Sequence, residues 1–462
     1  MRQSSNPSSR NARLLWAAGL VSLGMVGCGE AREAPVSESR EPVLTYEEFR
    51  AQAWQEPDTG IYVVDGDTPV LGEDGLREVY RDYVRSARAE ESDLGTQRAP
   101  LIVNRVNNAD DRWDYRRQRN ITYCVSTAFG SNYNAVVQAM NQATSAWQQV
   151  NVRFQHRSDQ DGACTATNTN VVFDVRPVSG QSYLARAFFP SYPRASSNVL
   201  IDASSFGNTA PWTLAGILRH ELGHTLGFRH EHTRPEARTC FEDNNWRALT
   251  AYDAASVMHY PQCNGSNRGD LNLTGSDVNG AYSLYGPLND RDVDVAFYLL
   301  NQTDLANAFG TTGWDAARNH WLNSGIPEGR RSAAWFDVRF YLSSYGDLVN
   351  AFGATNWPAA RSHWLNAGIN EGRRGSLEFD VQYYLATNPD LRAAFGTNYG
   401  AALDHWRTQG LYEGRRGSAD FDVQYYLATN PDVAAAWGAT NYPAALEHWI
   451  FHGRAEGRRG AP

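Results

Sequence analysis

Residues 220–232 read HELGHTLGFRHEH, which sets four histidines and two glutamates within thirteen positions. The run before it, APWTLAGILR at 210–219, is rich in helix formers, so His220 and His224, at i and i+4, project from one helix face. That spacing lets two imidazoles reach a single Zn2+ at about 2.0–2.1 Å. Glu221 follows the first of them and stands beside water at such a metal. Gly227, three residues beyond His224, is free to take a positive φ and end the helix, which turns the chain so that His230 returns as a third ligand. Three protein nitrogens leave one or two positions open for water and substrate, the arrangement of a catalytic site and not of a closed structural one. Ordinary histidines on an amphipathic helix do not call for the glycine and the third histidine at these intervals.

Around this segment, residues 100–287 alternate short strand-like runs, RNITYCVS, VNVRFQH, NVVFDVRP, SYLARAFF and SNVLID, with one helical stretch, NAVVQAMNQATSAWQQV. In that stretch Val136, Val137, Met140, Ala143 and Trp147 recur at helix spacing. A strand, a long helix, further strands and the histidine segment predict an α+β domain. Of five cysteines, Cys124, Cys164, Cys240 and Cys263 all fall in this domain, an even set that suits an oxidising compartment. Three pairings are open; Cys124 with Cys164 and Cys240 with Cys263 are favoured because each closes a local loop.

The N-terminus supplies the route to that compartment. Arg2, Arg10 and Arg13 precede an apolar run from Leu14 to Val26, too short to span a bilayer and suited to an export signal. It ends in MVGC, which resembles a bacterial lipobox with Met25 where Leu is usual, so residues 1–28 are expected to be a lipoprotein signal with Cys28 lipidated. The expected location is the outer membrane or cell surface through that lipid anchor, or the medium. Residues 29–99, rich in Glu, Arg, Ser and Pro, look like a prosegment or flexible spacer. A net charge of -9 argues against nucleic-acid binding.

Residues 290–460 repeat. FDVQYYLATNPDLRAAFGTNYGAALDHWRTQGLYEGRR has close copies on either side, and His320, His363, His405 and His448, each followed by Trp, mark a period of 42 to 43 residues. Such a period predicts an array whose units bury their faces on neighbours, here two or three short helices each. Asn-Pro starts and glycine stops, Gly396 and Gly410 in one copy, punctuate the helices. The spaced histidines read as a repeated packing position and not as metal ligands. The EGRR closures could take acidic glycans at a cell surface, but arginine at a repeat junction more often pairs with Asp or caps carbonyls, and the array is assigned no chemistry.

H-E-x-x-H-x-x-G-x-x-H is the metzincin signature, and with GFRHEHTR and the later SVMHYP at 256–261 the chain resembles the astacin family from roughly 110 to 287. The resemblance implies a zincin-type catalytic domain, with a twisted, mainly antiparallel sheet and an active-site helix, ahead of an all-α array. It implies one zinc ion held by His220, His224 and His230, Glu221 as base, Met258 beneath the metal, and Tyr260 as a movable ligand that later stabilises the oxyanion. Glu231 matches an acidic residue that meets the mature N-terminus, while His232 and His259 are expected on the surface. The run PEARTC and the cysteine placement depart from the family, which leaves inherited disulfides and substrate preference open.

The function implied is hydrolysis of peptide bonds in protein or peptide substrates. The substrate should lie extended along an edge strand, SYLARAFF or SNVLID. A catalytically silent zincin adhesin usually loses the glutamate, and this chain keeps Glu221; a cell-wall amidase fits the Met-turn segment less well. In IYVVDGDTPV, residues 61–70, Asp67 resembles the prosegment aspartate that occupies the position at zinc meant for water, with Gly66 letting the backbone approach. Equally, DGD reads as a hairpin turn. On the blocking reading, cleavage between Arg85 and Asn108 activates the chain.

Overall fold

The computed structural model describes residues 43–57, 59–89, 101–238, 240, 244–267 and 269–462. The export signal and Cys28 lie outside the described residues. No helix among those described is long and apolar enough to cross a membrane.

The stretch from Leu44 to Ala89 is folded. Thr45 caps helix α1 (Tyr46–Gln52) in a capping box with Glu48, and strands β1 (Trp54–Gln55), β2 (Tyr62–Val64) and β3 (Thr68–Val70) form an antiparallel sheet ahead of helix α2 (Gly72–Ala89). Period-two alternation divides the apolar residues between two faces. Tyr62, Val64 and Val70 pack with Leu76, whereas Val63 packs against Tyr183 and Leu200 of the following domain. A sheet this small is marginal alone, and the second face completes its burial. The flexible-spacer expectation therefore fails for these residues: weak periodicity reflected two small faces, each finding a partner.

Strands β4 (Ile102–Val106) and β5 (Ala109–Asp110) and the short helix α3 (Tyr115–Gln118) lead into the main sheet. Its strands are β6 (Ile121–Val125), β7 (Phe154–His156), β8 (Phe173–Val178), β9 (Ala185–Arg186) and β10 (Asn198–Asp202), in spatial order β7-β6-β8-β10-β9. β6 is buried at every position, as an interior strand covered on both faces must be. The expected mainly antiparallel sheet is corrected here. β6 runs parallel to β7 and β8, and β10 runs parallel to β8; only the β9 edge of this sheet is antiparallel. The reason is connectivity: helix α4 (Tyr133–Trp147) crosses over between β6 and β7, and a parallel pair requires such a crossover. α4 buries Val136, Met140, Ala143 and Trp147, and the Trp147 indole donates to the Arg219 carbonyl at 2.8 Å on the next helix, α5 (Leu214–Thr225). Strands β11 (Phe228–Arg229) and β12 (Trp246–Ala248) flank β4 in a second, antiparallel sheet, and α6 (Gly275–Tyr285) closes this region.

Each repeat contributes three short helices, for example Val381–Thr387, Pro389–Phe395 and Tyr399–His405, then a wider turn, Trp406–Gly410. The repeated histidines accept or share a proton with a tyrosine hydroxyl of the same repeat: Tyr298, Tyr341, Tyr384 and Tyr426 stand 2.8, 2.8, 2.9 and 2.7 Å from Nδ1 of His320, His363, His405 and His448. Gly396 has φ +57 after its helix, but Gly410 does not stop one; a Cβ there would lie 2.1 Å from the Tyr384 hydroxyl, so glycine is required by close packing. The EGRR arginines from Arg330 to Arg416, and Arg458, pair with acids of the array. Arg373 and Arg458 each bridge an aspartate and a glutamate, Asp347 with Glu371 and Asp432 with Glu456. Phe297 of the first repeat meets Phe451 of the last at 5.1 Å, so the array bends back on itself. It is pinned to the sheet domain by Arg119, whose Nη1 donates to Glu447 at 2.5 Å and whose Nη2 lies 3.6 Å from Asp294, all three buried. Leu44–Pro462 thus form one compact unit.

Candidate metal centre and active site

The site begins with α5. The Thr213 hydroxyl accepts from the Gly216 amide and fixes the helix start, and Asp270 accepts from the Thr213 amide at 2.9 Å and from Arg219 at 2.8 Å. His220 and His224 then lie on one face with ring centroids 5.0 Å apart. Gly227 has φ +88, and a Cβ there would fall 1.9 Å from the Asp111 carbonyl oxygen, so the turn that returns His230 admits no side chain. His220 Nδ1 lies 2.7 Å from the Val257 carbonyl and His224 Nδ1 2.8 Å from that of Phe228. Those carbonyls can only accept, so both Nδ1 atoms carry the proton and both Nε2 lone pairs face inward.

DGD proves to be a turn that delivers a carboxylate. Asp65 and Gly66 take φ of +52 and +102 between β2 and β3, and Asp67 reaches the three histidines. Its Oδ2 lies 3.2 Å from His220 Nε2, and its Oδ1 lies 3.0 Å from His230 Nε2 and 3.7 Å from His224 Nε2; His220 Nε2 and His230 Nε2 are 3.2 Å apart. All four groups are buried, and His224 Nε2 has no hydrogen-bond partner among the described residues. A tetrahedral zinc with bonds of about 2.0–2.1 Å has ligand edges of about 3.3–3.4 Å. These spacings scatter around that value, and three nitrogens with one carboxylate oxygen suit zinc. Burial alone would raise the Asp67 pKa, but His230 and His220 hold it well below the usual carboxylate range. Burial, with the neighbouring imidazoles, pushes His224 down to about 3, the neutral form a metal ligand needs.

Glu221 is buried, its Oε2 has no hydrogen-bond partner among the described residues, and burial together with the Asp67 charge raises its pKa well above the ordinary value. Met258 packs beneath the triad so tightly that a Cβ on Gly223 would meet its Sδ at 2.3 Å. Tyr260 Oη donates to Asp67 Oδ2 at 2.5 Å, and a Cβ on Gly66 would lie 3.1 Å from that hydroxyl, which is why glycine precedes the aspartate. Glu231 is buried, with its Oε1 accepting from the Asp253 amide at 3.2 Å and 3.4 Å from Arg234, and burial pushes its carboxyl up to about 8.

Two expectations fail. His232 and His259 are both buried: His232 stacks on His230 and Tyr260 at 4.7 and 4.8 Å, and His259 Nε2 is 2.8 Å from the Tyr252 hydroxyl. The Met-containing turn folds over the histidine segment and covers them. Asp277 was missed from the sequence. It accepts from the Ser256 hydroxyl at 2.5 Å and from the Val257 amide at 3.0 Å, so it fixes the carbonyl that orients His220; the capping box it makes with Thr274 at the start of α6 was the available signal. Cys124 is joined to Cys164 and Cys240 to Cys263. SYLARAFF supplies the edge strand β9, whereas SNVLID is β10, an interior strand.

The Matrixin (Peptidase M10) family profile matches residues 112–239. Bone morphogenetic protein 1 of Xenopus laevis is 31% identical over 235 residues, 45% of this chain and 29% of that protein. Blastula protease 10 of Paracentrotus lividus is 24% identical over 236 residues, 46% of this chain and 35% of that one. This chain thus spans 29% and 35% of the length of these curated relatives. Among solved structures, high choriolytic enzyme 1, a hatching enzyme zinc-protease from Oryzias latipes, superposes with a TM-score of 0.25 at 20% identity, covering 37% of this chain and 90% of that one. Myroilysin does so with a TM-score of 0.30 at 17% identity, covering 41% and 100%. The histidine triad and its turn thus lie in a region that resembles a metzincin domain and is similar to these relatives, and the donor set of three imidazoles with one carboxylate suits a zinc ion.

Proposed function

We propose that the chain is an exported zinc endopeptidase made in a latent form, with a signal and lipid anchor in 1–28, a prosegment in 29–99, the catalytic domain in 100–287 and the repeats in 290–460. The observation that carries this reading is the convergence of three buried imidazoles on the Asp67 carboxylate, beside a buried Glu221 oxygen with no hydrogen-bond partner among the described residues. Zinc held by His220, His224 and His230 supplies a Lewis acid that polarises a peptide carbonyl and acidifies water. Glu221 then takes the proton of the attacking water and returns it to the departing nitrogen. Tyr260 Oη, which now donates to an anionic oxygen of Asp67, donates to the oxyanion formed during attack. An extended peptide runs beside β9.

Asp67 fills the fourth position, so the prosegment must leave before substrate enters. Leu101 and the first three residues of β4 are buried, β4 lies between β11 and β12, and a cut beyond residue 101 would strip that sheet of its middle strand. Within the window from Arg85 to Asn108, the activating cut therefore belongs before Ile102. The new N-terminus is then available to Glu231, whose Oε2 has no hydrogen-bond partner among the described residues. The pairing of the EGRR arginines from Arg330 to Arg416, and of Arg458, with acids of the array counts against a cationic row for glycans. Hydrolysis of casein by the cleaved, zinc-loaded chain, abolished by a chelator and restored by zinc, is the expected result; chelator-insensitive hydrolysis would count against the reading.

A further inference from the structure

Asp67 is not the only buried acid that residues 44–89 contribute. Glu56, 3% exposed, meets Arg186, 0% exposed, on edge strand β9. Arg186 Nε donates to Oε1 at 2.5 Å and Nη2 to Oε2 at 2.8 Å, a two-bond fork, and the Tyr183 hydroxyl adds a donor to Oε1 at 2.7 Å. Nη1 is anchored from behind by Asn198 Oδ1 at 2.8 Å and the Ala187 carbonyl at 3.3 Å. Tyr183, Arg186 and Asn198 thus belong to the sheet domain, while the acid belongs to the segment that departs. Arg186 stands on edge strand β9, which packs against the histidine-bearing helix α5. Once Glu56 leaves, Arg186 keeps its rear anchors and turns three donors, Nε, Nη2 and the Tyr183 hydroxyl, toward the vacated slot. A guanidinium in such a place strongly favours a carboxylate over any neutral group.

We propose that Arg186 and Tyr183 form a subsite for a Glu or Asp side chain of the peptide substrate, and that Glu56 holds this place in the latent chain. This rests on the endopeptidase reading above. The bland alternative is a latch that fastens the prosegment and has no role afterwards.

The test uses the cleaved, zinc-loaded chain and fluorescent peptides of about eight residues, in which one Glu or one Gln is moved through each position. Binding is read by anisotropy on the Glu221→Gln chain, and hydrolysis on the wild type. The expected result is one position where Glu binds at least about 10-fold more tightly than Gln, with the preference lost in Arg186→Gln and partly kept in Arg186→Lys. Equal binding of Glu and Gln peptides at every position, or a preference that survives Arg186→Gln, overturns the subsite. Should the Arg186 variants not fold, a peptide spanning 53–70 must compete for the wild-type cleft at least about 10-fold better than its Glu56→Gln version, and equal competition overturns the proposal. Acid-selective binding without hydrolysis sinks the peptidase reading and leaves the subsite standing; hydrolysis without acid preference does the reverse.

Discussion

In the proposed mechanism Glu221 carries the proton and Tyr260 the oxyanion, and neither role requires holding the metal. Glu221→Gln should therefore retain about one zinc per chain while turnover falls by several orders of magnitude; full zinc content with near wild-type hydrolysis would remove Glu221 from the mechanism. Tyr260→Phe keeps the ring that stacks against His220, His230 and His232 and deletes only the donor. Its kcat should drop about 10²- to 10³-fold with little change in KM, as for other oxyanion donors. A variant altered mainly in KM would make Tyr260 a wall of the cleft. The three histidines and Glu221 were legible because their geometry is set within one helix and one turn. His232, His259 and Asp277 were not, because their burial depends on the turn at Ser256–Tyr260 folding over a segment some 30 residues earlier.

At the scale of elements, α5 is held between α4 and the Met-containing turn by glycines that allow contact and not by large side chains alone. Gly223→Ala places a methyl against Met258 Sδ and should lower stability by about 1–3 kcal/mol, seen as a fall in Tm together with reduced zinc retention. An unchanged Tm would show that Met258 yields freely. The strand and helix runs of the central domain were readable from their periods, since apolar spacing follows the face an element buries. Strand direction was not. The resemblance suggested antiparallel pairing, but α4 between β6 and β7 carries the chain back to the same end, and that fact appears only when the helix is placed. The small faces of β2 escaped notice for a related reason: Val63 is buried by Tyr183 and Leu200, more than 100 residues away.

Across the whole molecule, the stretches that differ in composition are joined by a few buried charges. Arg119 ties the first and last repeats to the sheet domain through Asp294 and Glu447. Arg119→Met would leave two carboxylates buried without their partner and should cost about 3–5 kcal/mol, read as a drop in the Tm of the full chain; no drop would mean that the contact contributes little. Residues 44–89 are joined in the same manner, through Asp67 at the histidines and Glu56 at Arg186. The most direct measurement is casein hydrolysis by the zinc-loaded chain before and after a single cut between Arg85 and Leu101, alongside uncut Asp67→Ala. The account predicts almost no activity from the intact chain, chelator-sensitive activity after the cut, and premature activity from the uncut variant. An intact chain that hydrolyses casein as fast as the cut one would contradict it, leaving Asp67 as a turn residue beside a site that it does not close.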